Sequence, residues 1–86
     1  MKFEKNRMTF LELKTNTVGE KDYHTLSFLD NEANKESLNF TGSVTDFKNI
    51  KENDFIDLHC KVYREKENYY KIAGISCYKV EKNVNQ

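Results

Sequence analysis

Hydrophobic and polar residues alternate with a period of two over most of this chain, the spacing of strands with one buried face. The clearest run is Phe55 to Tyr63, where Ile56, Leu58, Cys60 and Val62 alternate with Asp57, His59, Lys61 and Tyr63. A polar stretch from Arg64 to Asn68 separates it from Tyr69 to Val80, a second β-rich run whose alternation slips near Gly74, as a bulge or bend would cause. The two predict a hairpin with its tip near Glu67, so that antiparallel partners sum to about 134. Cys60 then falls opposite Gly74 and Cys77 opposite Asp57, which argues against a disulfide between them. Upstream, Thr9 to Thr17 predicts a first strand with Leu11, Leu13 and Thr15 on one face and Phe10, Glu12, Lys14 and Asn16 on the other. A turn over Gly19 to Asp22 leads into Tyr23 to Asp30, with Leu26 and Phe28 inward and Tyr23, Thr25, Ser27 and Leu29 outward. A polar connector, Asn31 to Ser37, precedes a third strand whose Leu38, Phe40, Gly42 and Val44 share a face.

Between Val44 and Phe55, Phe47 and Ile50 stand three apart, and Thr45 or Asp46 is placed to cap a helical turn. A short helix or ordered loop is expected there. Five strands with one such element between the third and fourth is the order of a small all-β Greek-key barrel of the oligonucleotide/oligosaccharide-binding (OB) type. The 86 residues make one domain, with a core over about residues 9–80 and polar tails at 1–7 and 81–86. Phe28, Phe40 and Phe55 are assigned to the core.

Composition narrows the function. Aromatics at 13% argue against intrinsic disorder in spite of 33% charged residues. The chain is too short for a cofactor domain plus a substrate domain, and it has no apolar run of membrane-spanning length. The start MKFEKNRMTF lacks the apolar stretch of a signal peptide, so a cytoplasmic location is expected. Two cysteines without a CxxC are too few for a disulfide scaffold. His24 and His59 lie on different strands without clustered ligands, so no metal is expected. Cys60 sits on an apolar face and reads as packing. Asp54 with Asp57, or Glu65 with Glu67, is spacing that any charged surface produces. With no phosphate-cradling loop and no nucleophile beside a base, neither an enzyme nor a cofactor is expected.

Binding chemistry is better represented. Tyr23 opens the second strand on its outward face, and Phe10, Tyr63 and Tyr69 fall on outward faces or beside the last hairpin, where bases can stack. Lys14, Lys21, Lys61, Arg64, Lys66 and Lys71 lie near them in sequence and suit phosphate contacts. The formal net charge of zero opposes this, but it is unevenly distributed. Lys2, Lys5, Arg7 and Lys14 outnumber Glu4 and Glu12 in the first 14 residues, and residues 56–86 carry six basic against four acidic side chains, while the middle is acidic. The alternative is a protein-interaction or assembly module of the same shape, with Phe10, Leu29 and Tyr63 as an apolar patch.

In strand order, in the tyrosine opening strand two and in the tyrosine-bearing last hairpin, residues 9–80 resemble the small single-stranded-DNA-binding proteins of phages and mobile elements, the gene V type of filamentous phage in particular. That resemblance implies an OB-fold dimer coating single-stranded DNA, or RNA, in a bacterial or phage setting. Tyr23 matches the aromatic that starts the second strand, and Tyr69 the aromatic at the tip of the last hairpin. Two departures stand out. Where the family favours a basic cluster before Tyr23, this chain has Val18, Gly19 and Glu20 with only Lys21 basic. The segment from Glu81 to Gln86 also lacks the acidic tip by which longer single-strand-binding proteins recruit partners.

Overall fold

Alternating apolar side chains need a second surface to cover them, and here five strands supply it by closing on themselves. The computed structural model describes residues 1–81. Its strands are β1 (Lys2–Val18), β2 (Lys21–Leu29), β3 (Lys35–Phe40), β4 (Phe55–Lys66) and β5 (Tyr69–Val80), with one turn of 3-10 helix at Thr45–Phe47. They close in the order β1-β2-β3-β5-β4, an OB-like all-β barrel with the short helix between the third and fourth strands, as the sequence predicts. No helix of the described residues is long and apolar enough to cross a membrane.

Leu26, Phe28, Ile56 and Leu58 have no exposed surface, and burial of each such side chain contributes about 1.5–3 kcal/mol. Met8, Phe10, Phe40, Phe47, Ile75 and the two cysteines complete the core. Phe55 is half-buried at its edge, with the Arg7 guanidinium 5.4 Å from its ring centroid.

Bulges account for most departures from the simple alternation. Phe10 pairs with Phe28, but Glu12 pairs with Ser27, so Leu11 is an extra residue and the faces exchange across it. Met8 and Phe10 therefore point inward ahead of the bulge and Leu13 packs on the core after it, correcting the expected outward placement of Phe10. A second irregularity lies between Lys5 and Met8, where Arg7 takes φ 56 and its amide donates to Asp57 Oδ1 at 2.8 Å. Beyond this corner β1 pairs β4 only at Met8 and Thr9, and pairing with β2 begins at Thr9.

Residues 2–5, expected as a polar tail, are strand, paired with β4 from Lys2↔Lys61 to Lys5↔Leu58. Phe3 packs against the core, while Lys5 stands opposite a core position and reaches Glu36 Oε1 at 3.1 Å. A charged side chain in an inward register hid this strand from the alternation. The other expected tail falls on Glu81, which follows β5, and on residues 82–86, which lie outside the described residues.

In the last hairpin, Val62, Tyr63 and Arg64 keep the expected register, and an extra residue at Ala73 shifts everything beyond by one. Cys60 is thus opposite Ile75 rather than Gly74, and Cys77 opposite Leu58 rather than Asp57; both thiols are free and buried. β3 starts earlier and stops earlier than the alternation suggests, leaving Gly42 and Val44 in the following loop. Neither Thr45 nor Asp46 caps the 3-10 turn. Asp46 Oδ2 instead accepts the amide of Cys77 at 3.1 Å, tying that turn to β5.

Candidate nucleic-acid interface

The barrel is thinnest between β3 and β5. These parallel strands share one registered pair, Phe40↔Ile72, with the Thr41 amide donating to the Ile72 carbonyl at 3.3 Å. Ahead of that point β3 pairs only with β2, and the first residues of β5 pair only with β4. The two edges part, and a groove of about 660 Å³ opens between them.

Its walls gather residues far apart in sequence. Tyr23 comes from β2, Asn39 and Thr41 from β3 and the loop after it, and Tyr69, Tyr70 and Lys71 from β5. The three tyrosines are exposed, at 42%, 51% and 49% in chain order, so each ring can meet a planar ligand while its hydroxyl stays wet. Neutral hydrogen-bonding side chains, among them Asn16, Ser37 and Asn39, line the space between them. Among the described residues, no aspartate or glutamate lines it, although the chain has 14.

His24 holds the groove's inner end in place. It is 4% exposed, and the Gly42 carbonyl 3.1 Å from Nε2 can only accept, so Nε2 carries the proton. Nδ1 shares a hydrogen bond with the Thr15 hydroxyl at 2.9 Å, and Phe40 packs on the ring with centroids 5.2 Å apart. One imidazole thus links β1, β2 and the loop after β3. Beyond it a second hollow of about 470 Å³ continues past Thr41 and Gly42 to Lys21, flanked there by Glu20 and Asp22.

Of the residues expected to contact nucleic acid, Tyr23, Tyr69 and Lys71 line the groove, and Lys21 lines the adjoining hollow. Lys71 is held by Glu65 Oε1 at 3.3 Å, and the hydrogen bond and charge of that carboxylate raise its pKa above the ordinary lysine value. Lys14 stands across from Thr25 at the rim and pairs with Glu12 at 3.4 Å. Arg64 is opposite Tyr70 and Lys66 opposite Tyr69, placing both at the hairpin rim. Tyr63 is opposite Lys71 but outside the groove, and Lys61 lies in a separate hollow of about 210 Å³. Phe10 is core and removed from the site. The apolar patch of Phe10, Leu29 and Tyr63 does not form, because Phe10 is buried and Leu29 lines a different hollow beside Arg7.

Tyr70 was missed. Strict alternation places it on the inward side of its strand, and only the separation of β3 from β5 converts that side into a groove wall.

Burial lifts the Cys60 thiol to about 11, against a smaller opposing effect of Lys5, and lifts Cys77 to about 12, with Asp46 and Asp57 adding to burial. Both are poor nucleophiles in the folded state. Comparison with protein-family models, curated proteins and solved structures finds no match to this chain.

Proposed function

We propose that this chain binds single-stranded nucleic acid, DNA in the first instance, by stacking bases on Tyr23, Tyr69 and Tyr70. The observation that carries the proposal is the convergence of three exposed tyrosines on one groove free of acidic side chains. The groove lies where barrels of this shape take extended polymers, over strands two and three beside the loop joining strands four and five. Stacking supplies most of the affinity, at about 1–3 kcal/mol per base. Phosphate contacts come from the rim, where Arg64 and Lys66 form no ion pair among the described residues. Asn39, Thr41 and Asn16 offer hydrogen bonds to base edges or sugars without a fixed sequence code. The sequence resemblance to phage single-stranded-DNA-binding proteins agrees with this use of Tyr23 and Tyr69. Catalysis forms no part of the proposal.

The test is a fluorescence-anisotropy titration of labelled oligo-dT at two salt concentrations, with a duplex of equal length as control. Saturable binding that favours the single strand and falls at least about 30-fold in the Tyr23→Ala/Tyr70→Ala variant is expected. Flat titrations at low salt, or equal affinity for the duplex, would refute it.

A further inference from the structure

On the outer face of β1, β4 and β5, away from the groove, two lysines meet without a counter-ion among the described residues. Lys2 on β1 and Lys61 on β4 are directly opposite partners, so their side chains share a face, and like charges in that position destabilise a sheet. Neither forms an ion pair among the described residues. Both line the hollow of about 210 Å³, together with His59, Ser76 and Tyr78. On the other side of Lys61 stands Gly74, and nothing lies within 4 Å of where its Cβ would be. Among the described residues the hollow has one carboxylate, Glu4, which lies 3.6 Å from His59 Nδ1. Tyr78 is 55% exposed, with its ring edge-on to His59 at 5.1 Å between centroids.

This hollow connects to the groove along one face. Lys71 lines the groove and is opposite Tyr63; Lys61 follows two residues along β4 on the same face, about 7 Å away. Between Lys71 and Ser76 the outer face of β5 offers Gly74, which puts no side chain across the path.

We propose that a nucleic-acid strand leaving the groove passes over Tyr63 and seats a backbone phosphate between Lys2 and Lys61, with a following base on Tyr78. This rests on the groove being the primary binding site. The anion relieves the repulsion between the lysines, and the second contact makes affinity depend on strand length.

Anisotropy titrations of the full chain with oligo-dT of about 4 and about 16 nucleotides separate the two ideas, using native protein and a Lys2→Ala/Lys61→Ala variant. Both lysines are exposed, and a Tm no lower than that of the native protein verifies that the variant is folded. The expected result is unaltered binding of the short strand. For the long strand, affinity should fall about tenfold at low salt, and the slope of log K against log salt should become shallower by about 0.7, the loss of one phosphate contact. Long-strand binding that the variant leaves unchanged would overturn the outer seat while leaving the groove intact. Equal losses on both strands would also overturn it, since they would reflect a general loss of positive field. Native protein that binds neither strand would refute the groove, and the outer seat with it.

Discussion

Replacing Gly42 with alanine should strain the loop that closes the barrel at its weakest point. Gly42 has φ 112, a conformation costly to any residue with a Cβ, at about 1–3 kcal/mol. A Cβ there would lie 2.8 Å from the Ala73 carbonyl oxygen, which is backbone and cannot swing aside. Relief requires the loop to move off β5, weakening the bond from His24 Nε2 to the Gly42 carbonyl, worth about 0.5–1.5 kcal/mol. The seam has little in reserve, because Phe40↔Ile72 is the single registered pair between β3 and β5. Together these give a loss of about 2–4 kcal/mol, or roughly 10–25 °C in Tm for a domain of this size. Urea denaturation followed by circular dichroism measures it, with Gly74→Ala as the comparison. Gly74 has open space at its Cβ position and no positive φ, so that variant should stay within about 0.5 kcal/mol of native. A Gly42→Ala protein as stable as Gly74→Ala would refute the account of the seam.

Phe10→Ala should cost about 3–5 kcal/mol, most of what a small domain possesses, so the variant should lose its cooperative melt. A Tm within a few degrees of native would mean that Phe10 lies outside the core. Cys60 and Cys77 should react with a thiol reagent at pH 8 more than a hundredfold slower than an unfolded cysteine, from thiolate fraction alone. Prompt reaction of either thiol in the native protein would contradict their burial. Asp30, through the amides of Asn34 and Glu32, and Asp54, through the amide of Lys51 and the charge of Lys79, have pKa values held below the usual carboxylate range. Lowered folded-state values stabilise the protein above the unfolded-state pKa, and that gain fades as the pH falls below about 4. Tm should therefore drop between about pH 5 and pH 3, less steeply in Asp30→Asn; a Tm constant over that range would contradict it.

The order of elements and the core of β4 were legible because Ile56, Leu58 and Cys60 alternate without interruption. Around Phe10 the same reasoning failed, since one bulged residue exchanges the faces and the extra residue, Leu11, is itself apolar. Residues 2–5 were obscured by Lys5, whose partner Glu36 lies 31 positions away and leaves no local signal. For the site, Tyr23 and Tyr69 were visible as aromatics at the edges of strands. Tyr70 and the inner support from His24 were not, because both depend on how β3 and β5 separate, a long-range property of the closed barrel. The expected basic residues divided in space as well: Lys71 reaches the groove already paired with Glu65, while Lys61 belongs to the outer face.

Amide chemical-shift mapping of the labelled protein during titration with oligo-dT tests the proposed interface most directly. The account predicts progressive, saturable shifts at Tyr23, Asn39, Thr41, Tyr69 and Tyr70, the residues the groove brings together. A spectrum that oligo-dT leaves unchanged, or shifts that bypass Tyr23 and Tyr70, would contradict it.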